Sequence, residues 1–182
     1  MTAIYLRQLA PGDRAVFVSA VAKSKSLHYP WVRPPASSKQ FAAFIQRMVP
    51  PVNHCFVVCT SEGDQPAGVI NITNVVLDPF RSGYLSYFAF AGFERRGLMQ
   101  KGLIAVVRHA FGKLRLHRLE ANIQPANRAS IALARSCGFK REGYSPRYLK
   151  INGRWRDHER WAILASGSRL GPSSRVRRKR EG

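Results

Sequence analysis

Acidic residues are scarce in this sequence: ten Asp and Glu stand against thirty Lys and Arg in 182 residues, a formal charge of +20. That imbalance points to an anionic partner, such as nucleic acid, a ribosome, a membrane surface or a phosphorylated ligand, and says nothing about fold. Cysteine is also scarce. Cys55, Cys59 and Cys137 are too few and too scattered for a disulfide framework or a zinc site. On one strand Cys55 and Cys59 would stand roughly 13 Å apart, beyond bridging distance. The five histidines, His28, His54, His109, His117 and His158, show no metal-ligand spacing, so no metal is expected. No apolar run approaches the roughly 18 residues of a membrane span, and the first residues show no signal-peptide pattern. A soluble, cytoplasmic protein without membrane attachment is the expectation. What is present is 45% hydrophobic and 10% aromatic sequence, enough to bury a core, which excludes wholesale disorder.

The chain divides near residue 165. Residues 166–182 hold Arg169, Arg175, Arg177, Arg178, Lys179 and Arg180 among Ser, Gly and Pro, with too little apolar sequence to pack. They read as a disordered basic tail. Residues 1–165 alone still carry 24 basic and 9 acidic side chains, about +15, so the charge belongs to the body as well. In that body, residues 4–9, 55–60, 67–77, 84–90 and 117–123 read as strands, and 147–151 and 156–164 as a closing hairpin around Asn152-Gly153. Helices are predicted over 14–23 with Asp13 as cap, and after Ser37 or Ser38 with Phe41, Phe44, Ile45 and Met48 on one face. A third follows 94–99, bearing Leu103, Val107, Ala110, Phe111 and Leu114, and a fourth runs from Asn127 to a left-handed stop at Gly138. One three-layer α/β domain is expected.

One junction carries chemistry on physical grounds alone. Residues 93–101 run from a strand through a short loop into a helix, whose first backbone amides are unpaired and sit at the positive end of its dipole. Arg95, Arg96 and Lys101 add charge, and Gly97 lets a ligand approach the backbone. Such a junction is either a phosphate site or a solvated basic loop. Some thirty residues on, Asn127, Ser130, Ile131, Leu133, Gly138 and Phe139 form a second block. The two blocks, in this order and at this separation, resemble the pyrophosphate loop and following helix of the GNAT acetyltransferases. His117-Arg118, Ala121-Asn122, Pro125, Glu142-Gly143-Tyr144, Tyr148-Leu149, Gly153 and Trp155-Arg156-Asp157-His158 further resemble the ribosomal-protein-alanine N-acetyltransferases of the RimJ/RimL type. The likeness is close over 84–164 and looser over 4–77, where Trp31 and Pro34-Pro35 carry it.

The resemblance implies a GNAT fold, an α/β architecture in which a mixed, strongly twisted sheet with splayed central strands is flanked by helices. It implies acetyl-CoA as co-substrate, its pantetheine arm entering the splay. The pyrophosphate would lie on the amides of Arg95, Arg96, Gly97, Leu98 and Met99, extending to Gln100 and Lys101, and Asn127 would bind the pantetheine arm. Amides of Phe88, Ala89 and Phe90 would polarise the thioester carbonyl, because a developing oxyanion needs fixed donors. Trp31 and Tyr87 are candidates for the acceptor cleft. Glu120 matches the base of N-terminal-amine acetylases if two residues are inserted before Asn127; the alternative is a strand glutamate paired with Arg118. Three departures stand out: Glu94 occupies a Gln/Arg position, Arg95 stands where close relatives often have Gly, and Ala134 replaces a Tyr that protonates the leaving thiolate. Ser130 or Tyr144 would then have to serve as the acid.

The expected acceptor is a protein N-terminal α-amine, Ala or Ser of a ribosomal protein. Freeing the lone pair of an α-amine of pKa near 7.8 at pH 7 costs about 1.1 kcal/mol, against about 4.6 kcal/mol for a Lys side chain near 10.4. A modest base is enough for the first acceptor, and the amine can attack the thioester directly. The alternatives are a small amine such as an antibiotic or polyamine, which a chiefly anionic pocket would favour, and a non-enzymatic ribosome- or RNA-binding protein on the same scaffold. Contact with ribosomal RNA through the basic body and tail is a further expectation. The oligomeric state is not legible.

Overall fold

The computed structural model describes residues 3–165; segment 166–182, and the disordered tail expected there, lie outside the described residues. The elements run β1 (Ile4–Gln8), a 3-10 turn (Pro11–Asp13), α1 (Arg14–Lys23), α2 (Lys25–His28), α3 (Ser38–Arg47), β2 (His54–Thr60), β3 (Pro66–Val76), β4 (Ser82–Ala89), α4 (Leu98–Gly112), β5 (Arg118–Ile123), α5 (Arg128–Ser136), β6 (Lys140–Ile151) and β7 (Arg154–Leu164). The strands form one sheet in the order β1-β2-β3-β4-β5-β7-β6. Every neighbouring pair is antiparallel except β4 and β5, which are parallel. This is the expected mixed sheet flanked by helices. No described helix is long and apolar enough to cross a membrane.

Strand alternation sorts the core onto two faces. Ile70 and Ile72 of β3, Leu85 of β4 and Leu119, Ala121 and Ile123 of β5 pack with Leu103, Val106, Val107 and Ala110 of α4 and Ile131 and Ala134 of α5. On the opposite face Val69 and Phe88 join Phe17 and Val21 of α1 and Phe41 and Phe44 of α3. Gly68 on β3 brings α4 close to the sheet: a Cβ there would stand 2.6 Å from the Phe88 carbonyl oxygen and collide with Met99 Sδ in the first turn of α4. The start of α4 is therefore seated against the first residues of β3 and the last of β4.

Two expectations need correction. Asp13 precedes α1, but its side chain does not cap the helix. Its carboxylate instead receives the Arg7 guanidinium, at 2.8 and 2.7 Å, and the Ala10 N–H at 2.8 Å. A neighbouring guanidinium outcompetes the helix amide for the same oxygens. The closing hairpin also begins seven residues earlier than expected, at Lys140 rather than Arg147. Gly143 and Pro146 hide that strand in the sequence. It tolerates them because β6 is the edge strand and its register shifts twice, between Arg141 and Gly143 and between Ser145 and Leu149.

Candidate active site

The parallel ladder between β4 and β5 is short. It pairs Ser82 with Arg118 through Leu85 with Ala121 and stops there, while β4 continues along β3 as far as Ala89. Beyond Leu85 the sheet is split. Phe90 N–H donates to the Ala67 carbonyl across the β3 side at 2.8 Å. Antiparallel alternation then turns the amides of Phe88 and Phe90 toward β3, and those of Tyr87 and Ala89 into the gap. Of the three amides expected to meet a ligand, Ala89 is the one that faces the opening, and Tyr87, expected only as an acceptor contact, supplies a second. His28 confirms the direction, because its Nε2 donates to the Ala89 carbonyl at 2.8 Å.

At the far end of β4 the chain turns through residues 90–97 into α4. Arg95 and Gly97 both adopt left-handed backbone, φ +57° and +72°. Arg95 therefore holds a conformation natural to glycine, and for a side chain this costs about 1–2 kcal/mol. The first helical bond runs from Lys101 N–H to the Gly97 carbonyl at 3.1 Å, so the amides of Leu98, Met99 and Gln100 precede the helix ladder. Glu94 is drawn away from that helix end: its carboxylate accepts from Gly92 N–H at 2.7 Å. Arg96 lies over the Phe93 ring, 5.6 Å from its centre. The junction is a helix start fringed with cations.

The other wall of the gap is α5. Asn127 caps it, Oδ1 accepting from Ser130 N–H at 3.1 Å. Tyr87 reaches across from β4, its hydroxyl donating to the Ser130 carbonyl at 3.0 Å and accepting from Ser130 Oγ at 2.9 Å. Burial pushes the Tyr87 phenol up to about 12, so it stays protonated at neutral pH. The three residues expected to do acid–base work are not brought together. Glu120, on β5, accepts from Arg118 Nε at 2.7 Å, and the same guanidinium grips Glu142. Ser130 stands with Tyr87. Tyr144 lies on the edge strand β6, where its hydroxyl donates to Asp157.

On the α3 face, beside the same split, opens a cavity of about 540 Å³. Its walls are Val32, Pro34 and Pro35 of the connection between α2 and α3, Ala43, Phe44 and Met48 of α3 and its C-cap, and Asn71, Thr73, Ser86 and Phe88 of the sheet. Arg33, Ala36, Gln40 and Arg47 complete it, and among the described residues no carboxylate lines it. The connection is strapped across the opening: the Trp31 carbonyl accepts from Gln124 Nε2 at 3.2 Å, and the Pro30 carbonyl from Asn152 Nδ2 at 3.1 Å. Trp31, expected in an acceptor cleft, thus anchors the strap whose next residues form the wall. Asn71 and Ser86 went unremarked in the sequence, since each reads as one more polar residue on a strand.

A twisted sheet split between two parallel strands, with a helix start aimed at one end of the split and an open cavity beside it, is the architecture of an acyltransferase. The chain belongs to the GNAT acetyltransferase family: the acetyltransferase (GNAT) domain matches residues 3–140. It is an N-acetyltransferase, and GNAT acetyltransferases use acetyl-CoA. It is 29% identical over 126 residues to Bacillus subtilis YjcK, named a probable N-acetyltransferase, covering 69% of this chain and 70% of that protein. It is 41% identical over 91 residues to the Escherichia coli ribosomal protein uS5-alanine N-acetyltransferase, spanning 50% of this chain and 47% of the relative's length. Mycobacterium smegmatis RimJ in complex with CoA-disulfide superposes with a TM-score of 0.83 at 25% identity, over 90% of this chain and 82% of that one. Vibrio cholerae spermidine N-acetyltransferase in complex with CoA and spermine shares the fold, with a TM-score of 0.77 at 21% identity over 90% of this chain and 96% of that one.

Proposed function

We propose that this acetyltransferase acts on the N-terminal α-amine of a protein, with a ribosomal protein beginning with Ala or Ser as the first candidate. The observation that carries this reading is the charge of the cavity: among the described residues Arg33 and Arg47 line it and no carboxylate does. A polyamine or aminoglycoside is a polycation and needs carboxylates around it, whereas an uncharged or acidic peptide end does not. The name of the Escherichia coli relative, an alanine acetyltransferase of a ribosomal protein, agrees with it.

The residues on the other side of the split fit acetyl-CoA. The amides of Leu98, Met99 and Gln100 are unused by the helix ladder, and Glu94 is turned onto Gly92. In this reading those amides hold the pyrophosphate, with Arg95, Arg96 and Lys101 adding charge, and Asn127 meets the pantetheine arm. Bound there, acetyl-CoA supplies a thioester whose acetyl carbon the amine attacks, releasing the CoA thiol. The gap-facing amides of Ala89 and Tyr87 are donors for the carbonyl oxygen as charge develops on it. In this reading Ser130 protonates the departing sulfur, its hydroxyl turning from Tyr87 to do so. On the same reading Glu120 takes the amine's proton through water, and an α-amine asks little of it, since deprotonation at pH 7 costs only about 1.1 kcal/mol.

Thiol release from acetyl-CoA tests the reading, with Ala- and Ser-starting peptides beside spermidine and free amines. Release that depends on a peptide, and vanishes when the same peptide is already N-acetylated, is the expected result. Release with spermidine alone would move the acceptor to the polyamines.

A further inference from the structure

Among the described residues, two buried side-chain amide oxygens have no hydrogen-bond partner, Asn71 Oδ1 and Asn122 Oδ1. They belong to one row of the sheet. Asn71 on β3 pairs in register with Ser86 on β4, and its Nδ2 donates to Ser86 Oγ at 3.2 Å. Ser86 and Asn122 are the residues that follow the last rung between β4 and β5, Leu85 with Ala121. Their chain neighbours Ile70, Ile72, Leu85, Ala121 and Ile123 all pack against α4 and α5. Alternation therefore turns Asn71, Ser86 and Asn122 to the opposite face, where Asn71, 5% exposed, and Ser86 line the cavity. A buried carbonyl oxygen without a donor is costly and rare, so a pair of them flanking one strand at the point where the sheet splits marks where donors arrive.

We propose that Asn71 Oδ1, on the cavity wall, accepts an N–H of the acceptor amine at the split, and that Asn122 Oδ1, across β4, accepts another N–H of the same peptide end. This rests on the cavity being the acceptor site of an acetyltransferase. A neutral primary amine has two N–H groups and one lone pair. Asn71 Oδ1 takes one of those N–H groups and leaves the lone pair available to the acetyl carbon. Uncharged amide oxygens also orient the amine without stabilising its ammonium form as a carboxylate would, so the reactive form persists near neutral pH. The charged or titratable groups facing this row are Glu120 paired with Arg118, and Tyr84 beside them with Tyr148 against it; Arg160 opposite Asn122, with His158 next on that face of β7; His28 against Phe88; and Arg33 and Arg47 at the cavity wall.

The test is the pH profile of kcat for the peptide acceptor in Asn71→Asp, repeated in Asn122→Asp, with Asn71→Ala as the deletion. A carboxylate facing the amine is expected to move the profile's midpoint alkaline by about one pH unit or more. Asn71→Ala is expected to lower kcat/KM for the acceptor about tenfold while leaving KM for acetyl-CoA within about twofold. Should either Asp variant fold poorly, the other carries the measurement, and thermal melting reports which. An unmoved midpoint in a folded Asp variant, or an Asn71→Ala variant that loses activity only in proportion to its melting temperature, overturns the assignment. If spermidine proves to be the acceptor, the functional reading above fails while the same profile, run with spermidine, still decides this one. A wild-type enzyme inactive on every amine overturns both.

Discussion

The two faces of the sheet are built on opposite terms. Toward α4 and α5 the packing is closed: Leu103, Val106, Val107 and Ala110 are wholly buried, and a Cβ on Gly102 would stand 2.6 Å from Val58 Cγ2. Toward α1 and α3, an aromatic cluster of Phe17, Phe41, Phe44, Phe88 and Phe90 stops short of the sheet's split and leaves an open cavity with a buried amide oxygen unpaired. Close packing fixes the start of α4, which suits a helix end that must receive the same phosphates at every turnover. The open face is where an acceptor of variable shape can enter.

That contrast can be broken from either side. The largest effect is expected from Gly102→Val, which forces α4 off the sheet: stability should fall by about 1–3 kcal/mol by urea unfolding, and KM for acetyl-CoA should rise with it. Bulk on the other face should act differently. Ala43→Phe fills the cavity from α3, and is expected to raise KM for the peptide about tenfold while stability changes by no more than about 0.5 kcal/mol. Arg33→Glu with Arg47→Glu should shift preference among peptides toward basic sequences after the first residue, by about threefold to tenfold at low salt and less as salt screens it.

A smaller effect follows from burial of the imidazoles. Burial holds His28, His109 and His158 below the ordinary histidine value. The folded chain then binds fewer protons than the unfolded one, so stability is full above about pH 6.5 and declines as pH falls below it toward the lowered folded values. Melting temperature recorded from pH 7.5 to 5.5 should decline before the carboxylate range near pH 4 is reached; a flat profile would refute the assignment. Arg95→Gly, which relieves left-handed strain, should raise stability by up to about 1 kcal/mol, and should weaken acetyl-CoA binding if the guanidinium meets phosphate.

The closed side of the molecule was the more legible in sequence, for a physical reason. The loop of backbone amides with its Gly97, and the Asn127 cap with its helix, are each a short contiguous stretch whose internal spacing survives in one dimension; Asn127 and the Asn152-Gly153 turn are found as read. The open side draws on α3, the strap between α2 and α3, β3 and β4, and nothing in the spacing of Asn71 and Ser86 announces that they share a rung. Asp13 misled because a good capping residue had a guanidinium within reach. The strand from Lys140 was hidden because an edge strand accepts the Pro and Gly that argue against one. Glu120 stood in sequence as either a base or a partner of Arg118, and the fold shows that ion pair in place.

The central claim is that the acceptor is an uncharged or acidic peptide end seated on the open face. The most direct measurement is competition: one Ala-starting peptide and spermidine offered together with acetyl-CoA, and the two acetylated products quantified by mass. The cavity's charge predicts the acetylated peptide in large excess, with the excess reduced when glutamates replace Arg33 and Arg47. Acetylspermidine as the main product would contradict it.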